Sequence, residues 1–147
     1  MHWKDACRPS EPTTERIPWG TNPALSADGR YVAFSSTFPS QVWFDSNGVE
    51  DIFVYDRQTQ DMKRVSVTSA GEQGTDHSFL RPSLTADGRY VAFMSKAKLA
   101  SGDANTQADV YLHDCTMGTT SLVSVGSNGW SGSPEISADG SCTVFSS

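Results

Sequence analysis

Residues 22–36 read NPALSADGRYVAFSS, and residues 81–95 read RPSLTADGRYVAFMS. Residues 133–147 begin the same phrase again, as SPEISADGSCTVFSS. Eleven of fifteen positions agree between the first two copies and eight of fifteen between the first and third. Agreement on that scale marks an internal repeat, and the repeat is the unit from which the fold has to be read.

Each copy has the pattern of strands. Asp28-Gly29, Asp87-Gly88 and Asp139-Gly140 separate two short runs rich in strand-forming residues. Asp-Gly is the dipeptide preferred by tight type I′ hairpins, so a two-residue hairpin is the expectation. The run after each of the first two turns, Tyr31-Val32-Ala33-Phe34 and Tyr90-Val91-Ala92-Phe93, is apolar at every position. A strand with one wet face alternates. These do not, so each sheet is expected to be covered on both sides.

A second motif follows at the same period. Asp51-Ile-Phe-Val-Tyr-Asp56 recurs as Asp109-Val-Tyr-Leu-His-Asp114, and each leads through a polar turn to a valine-bearing strand, Arg64–Val67 and Leu122–Val125. One unit therefore holds four strands, here a to d: the Pro-x-Leu strand, RYVAF, DIFVYD and RVSV. The key prolines stand at 23, 82 and 134. Four short antiparallel strands per unit, apolar on both faces, describe the blade of a β-propeller. The Ser-x-Asp-Gly-Arg-x-(Val/Ala)-x-Phe-Ser signature, with the following Asp-Ile-Phe-Val-x-Asp, resembles the WD40-like or PD40 repeats. Those repeats build the propeller of TolB and the propellers of some prolyl peptidases. The resemblance implies the architecture and says little about activity.

The strand count is incomplete at the third copy, and the opening residues resemble what it lacks. Met1-His-Trp-Lys-Asp5 aligns with Ile52–Asp56, with the aspartate in register, and Thr13–Ile17 falls where Thr119–Val123 lies. The expected order is strands c-d in residues 1–21, full blades in 22–80 and 81–132, and strands a-b in 133–147. The expectation is thus an all-β chain with three blades' worth of sequence in permuted strand order. Propellers use 4 to 8 blades, so three do not close. Two copies would make six, and two-fold pairing is the commonest oligomeric symmetry. A homodimeric six-bladed ring is expected. The competing expectation is that the chain is a piece of a longer propeller.

Composition narrows the function classes. The 147 residues suit one domain, and the net charge of −6 lacks the basic footprint of a nucleic-acid binder. It suits cationic partners or bound cations. No apolar run approaches a membrane span, so no membrane insertion is expected, and the polar opening segment has no secretory h-region. That places the chain in the cytoplasm by default, although the families it resembles are often periplasmic or secreted. Cys7, Cys115 and Cys142 form no CxxC pair and read as reduced thiols beside strands.

One polar constellation recurs. Asp45, Asn47 and Asp51 share the spacing Asp-x-Asn-x-x-x-Asp with Asp103, Asn105 and Asp109, each directly before strand c. Oxygen ligands at alternate positions of a loop suit Ca²⁺, and the same residues also shape Asx-turns. No other cofactor is expected. His113 lies inside strand c and reads as packing. Asp76, His77 and Ser78 are sequence neighbours, which cannot assemble a nucleophile triad, and there is no GxSxG elbow. Trp19 and Trp130 hold equivalent places before strand a and read as structural. Trp43 has no counterpart in the second copy and is the candidate partner contact. The expected function is a non-enzymatic binding platform for protein or peptide. The alternatives are an enzyme or enzyme fragment with its site at the propeller mouth, and a carbohydrate binder using loop tryptophans.

Overall fold

In the computed structural model of the chain, which describes residues 14, 16, 20–37 and 46–147, ten strands are formed and all are antiparallel. The first sheet is β1 (Thr21–Leu25), β2 (Tyr31–Ser36), β3 (Asp51–Asp56) and β4 (Met62–Arg64), in that spatial order. The second is β5 (Ser78–Leu84), β6 (Tyr90–Ser95), β7 (Asp109–Asp114) and β8 (Thr119–Leu122), again in sequence order. A terminal hairpin of β9 (Gly132–Ile136) and β10 (Thr143–Ser146) starts a third. β1 and β2 pack against β5, and β5 and β6 pack against β9, so the three sheets follow one another in a stack. The chain is all-β, with four-stranded antiparallel sheets of the β-propeller kind. The parts of the expected layout that rest on residues 1–13 and 17–19 lie outside the described residues.

The stack is held by a core between the first two sheets. Ala24, Ala33, Ile52, Val54 and Val65 of one sheet meet Leu84, Val91, Phe93 and Tyr111 of the next. Val32, Phe34, Phe53 and Tyr55 form a second cluster on the opposite face of the first sheet. Odd and even positions of β2 thus go to different faces and both are buried, which is why the strand shows no polar alternation. The rings of Phe34 and Phe53 stack at 5.9 Å, and those of Phe93 and Tyr111 at 6.0 Å.

Three details differ from the expectations. The Asp-Gly turns are not type I′. Asp28, Asp87 and Asp139 keep negative φ and only the glycines are left-handed, with Gly29 at 74°, Gly88 at 69° and Gly140 at 75°. The Gly29 amide donates to the Ser26 carbonyl, which gives a longer turn ending in a left-handed glycine. Strand d also lies earlier than the valine motif. It ends at Arg64 and Leu122, and Val65 and Val123 donate singly to the Ile52 and Val110 carbonyls. Finally, strand a is bulged. Register shifts interrupt β1–β2, β5–β6 and β9–β10, and Asn22, Leu80 and Ser133 adopt positive φ there. The prolines sit on this innermost edge strand, where the missing amide disturbs no ladder.

Candidate functional site

The turn between strands a and b is built alike in all three copies. Asp28 Oδ1 accepts from Ser26 Oγ at 2.6 Å and from the Arg30 amide at 2.9 Å, and Ser26 Oγ accepts from the Tyr31 amide. Thr85, Asp87, Arg89 and Tyr90 repeat this network, as do Ser137, Asp139, Ser141 and Cys142. These donors hold the carboxyls low. For Asp28 and Asp87 the neighbouring hydroxyl is the main cause, whereas Asp139 is lowered to about 2, chiefly by the Ser141 amide.

The signature arginine then ties this turn to the next one. Arg30 Nε and its terminal nitrogen donate to the two oxygens of Asp56 at 3.0 and 2.7 Å, and Arg89 grips Asp114 at 3.2 and 2.8 Å. Both aspartates also accept amides of the c–d turn, from Gln58 and from Thr116. Arg30 lies over the Tyr31 ring and Arg89 over Tyr90, each 4.8 Å from the centroid. The bidentate Arg30 pair is the main reason that Asp56 is lowered to about 2. Asp114 is lowered further by the same cause. The third copy has Ser141 where the others have arginine.

At the other end of strand c, the candidate calcium loops have a definite structure. Asp51 is fully buried, and its Oδ1 accepts from Ser66 Oγ at 2.6 Å. Its Oδ2 accepts from Asn47 Nδ2 at 3.2 Å and Gln73 Nε2 at 3.1 Å. Ser66 Oγ in turn accepts the Ile52 amide. Asn47 gives its second amide hydrogen to the Gly74 carbonyl and accepts the Val49 amide. The second loop repeats the serine and asparagine bonds. Ser124 and Asn105 donate to Asp109, Asn105 also donates to the Ser127 carbonyl, and Asp103 accepts Tyr111 Oη at 2.5 Å. Burial raises the pKa of both Asp51 and Tyr111.

Asparagine therefore turns its amide hydrogens, not its oxygen, toward the aspartate, and the aspartate oxygens already accept strong donors. A calcium ion needs six to eight free oxygens, and this donor set does not fit it. Among the described residues no group of three acidic, histidine or cysteine side chains is placed to hold a metal. Asp45 and Trp43 lie outside the described residues.

The other candidates are separated. His113 is buried, and its Nδ1 pairs with Thr120 Oγ1 at 2.9 Å, so burial lowers its pKa. His77 Nδ1 accepts the Glu50 amide, while Ser78 Oγ donates to Ser95 Oγ, so Asp76, His77 and Ser78 form no relay. Cys115 and Cys142 are free thiols, and burial pushes Cys115 up to about 11. Trp130 lies against Gly132 and is half-exposed.

Two features were not foreseen. An added Cβ at Gly88 would lie 2.4 Å from the Tyr31 ring, and one at Gly140 would lie 3.2 Å from Tyr90. Each blade thus presses the tyrosine of strand b onto the turn glycine of the following blade. The second is an open groove of about 440 Å³ along the outer edge. It is lined by Ser69, Leu99, Ala100, Leu122 and Val125, which come from the end of β8 and from connections in both blades.

No protein-family model and no curated protein matches the sequence. Among solved structures the chain is similar to the tricorn protease, with a TM-score of 0.59, 12% identity, and coverage of 86% of this chain and 11% of that one. It is similar to a prolyl endopeptidase at a TM-score of 0.53 and 17% identity, over 86% of this chain and 18% of that one. A putative TolB from Agrobacterium tumefaciens aligns at 0.49 and 18% identity, over 86% of this chain and 42% of that one. The chain spans only these fractions of the proteins it matches, and at such identities the likeness is one of fold.

Proposed function

We propose that this chain is a non-enzymatic β-propeller platform that binds protein or peptide partners and is assembled as a homodimer. The observation that carries the binding reading is the contrast between a repeated frame and unlike connections. The Asp-Gly, Arg-Asp and Asp-Ser-Asn networks are reproduced from blade to blade, which fixes the strands. The connection from β4 to β5 spans residues 65–77, whereas that from β8 to β9 spans 123–131. Differing loops on a rigid frame are where recognition is commonly built. Here they present exposed Val125 at the groove of about 440 Å³, and half-exposed Trp130 against Gly132. A shallow groove with aliphatic lining, on loops that also expose an aromatic side chain, suits a peptide segment better than a small polar substrate.

The protease neighbours favour an enzymatic reading no more than a binding one, because they share fold alone. The test is selection of peptides from a displayed library on the immobilised protein. Enriched peptides should bind the native chain and lose at least tenfold in affinity to a Val125→Ser, Trp130→Ala double variant. Failure to enrich, or equal binding to the variant, overturns the reading. The dimer is tested by light scattering, with an expected mass twice the 15.9 kDa of one chain.

A further inference from the structure

The internal repeat lets one blade serve as a control for the other, and they differ where the c–d turn crosses the a–b turn. In the first blade Arg57 follows the clamped Asp56, and its Nη1 donates to the Gly29 carbonyl at 2.6 Å. The backbone layout recurs in the second blade. The Arg57 amide donates to the Arg30 carbonyl at 2.9 Å, and the Cys115 amide to the Arg89 carbonyl at 2.7 Å. Cys115 therefore stands where the first blade has Arg57, and Gly88 where it has Gly29. A cysteine side chain is too short to cross the turn, and among the described residues no donor reaches the Gly88 carbonyl.

Beside this short side chain lies a cleft of about 310 Å³ between the two blades, with Tyr31, Val54 and Cys115 in its lining. The charged groups around it are Asp56, Asp61, Lys63, Asp87 and Arg89. Asp56 is already matched by Arg30, and Arg89 by Asp114. Asp87 uses Oδ1 for the Thr85 hydroxyl and the Arg89 amide. Among the described residues, Asp87 Oδ2 and the exposed Asp61 carboxylate are thus open acceptors, against the single ammonium of Lys63. Asp61 and Lys63 stand where the second blade has Thr119 and Ser121, so these charges are no part of the repeated frame.

We infer that this cleft is a seat for the guanidinium of an arginine on a partner peptide, which gives the second blade what Arg57 gives the first. Two separate observations meet here. The carbonyl that a guanidinium serves in one blade has no donor in the other, and the lining carries more open carboxylates than open cations. The incoming guanidinium donates to the Gly88 carbonyl and to Asp61 and Asp87, while its methylene stem lies along Val54 and Cys115. A planar fork of five donors suits acceptors spread over two turns, whereas an ammonium gathers three donors on one nitrogen. Lys63 opposes any cation here and keeps the affinity low. The cleft shares no lining residue with the groove at Leu122 and Val125, so it is a second site and does not rest on that one.

The test is titration of N-acetyl-arginine amide into the native chain, followed by backbone amide chemical shifts. Saturable shifts at Asp61, Gly88 and Thr116 are expected, with a Kd of about 1–10 mM. N-acetyl-lysine amide should bind at least about fivefold more weakly. Cys115→Arg rebuilds the first blade's arrangement from within and should abolish binding. Lys63→Gln should tighten binding about threefold and Asp61→Asn should weaken it about threefold, which decides the matter if Cys115→Arg does not fold. No saturable shift, equal binding of the lysine probe, binding retained by folded Cys115→Arg, or no response to either charge variant overturns the inference. Shifts confined to the groove residues overturn it too and leave the groove reading standing. A failed peptide selection removes the groove and leaves this titration as the separate test of the cleft.

Discussion

A methyl group added at Gly88 would sit 2.4 Å from the Tyr31 ring, on a residue whose φ of 69° already disfavours any side chain. Two penalties therefore coincide at one atom. Gly88→Ala is expected to destabilise the fold by roughly 2–4 kcal/mol, combining left-handed strain with overpacking. Gly118, at φ 67° but with open space around it, separates the two effects. Gly118→Ala should cost only about 1 kcal/mol, and thermal melts of both variants check the difference. The conformational half of this was legible in the Asp-Gly dipeptide. The steric half was not, because a tyrosine that docks on a glycine 57 positions later leaves no local pattern. Leu80, left-handed in spite of its bulk, is equally silent in sequence. Phe53 and Arg64 occupy the places of Tyr111 and Leu122, and Arg64 Nε is buried 3.9 Å from Asp51 with no hydrogen-bond partner among the described residues.

At the scale of the element, what keeps a blade in register is the pair of polar clamps at its two ends. Ser66 and Ser124 each donate to a buried aspartate and accept the amide of the residue that follows it, Ile52 or Val110. Ser66→Ala or Ser124→Ala leaves both groups short of a partner and should cost about 1–3 kcal/mol, read as a shift in urea midpoint. Because these aspartates are committed to hydrogen bonds, melting in calcium and in chelator should coincide. A calcium-dependent rise of several degrees would overturn that reading of the loops. At the opposite end the clamp is ionic and gives a pH dependence of known sign. Asp56, ordinarily near 3.8, is lowered to about 2 by Arg30. A carboxyl lowered on folding contributes fully above its unfolded value and loses that contribution as pH falls through the folded one. Stability should therefore decline between about pH 4 and pH 2, and Arg30→Gln should flatten that limb in urea titrations from pH 5 to pH 2. The clamps show how far sequence reaches at this scale. The spacing of Asp, Asn and Asp was visible, and its last aspartates, Asp51 and Asp109, open β3 and β7. Their use was not, because Ser66 and Ser124 lie 15 residues further on and look like ordinary strand residues.

For the whole molecule, the period of prolines and Asp-Gly turns was enough to number the strands and order the sheets, since each unit closes locally and neighbours in sequence are neighbours in space. Strand d was misplaced by a few residues because buried Val65 looks like a strand centre but lies just beyond Arg64. Assembly is where local pattern ends, and it is best tested by truncation. On the proposed homodimer, a chain lacking residues 1–12 should elute as a monomer. An unchanged dimer after that deletion would place the contact elsewhere.

The tyrosine-on-glycine contact also has a direction. Each blade presses forward onto its successor, from Tyr31 to Gly88 and from Tyr90 to Gly140, so the array has a head and a tail. A joint that continues this stacking pairs the head of one array with the tail of another. Such joints form a closed circle or an endless helical fibre according to the rotation per step. On the proposed six-bladed ring, closure requires a rotation of about 60° between consecutive sheets, the step that divides a full turn among six blades. If that ring forms, substitutions at Gly88 or Gly140 that open this angle should convert it into a growing filament.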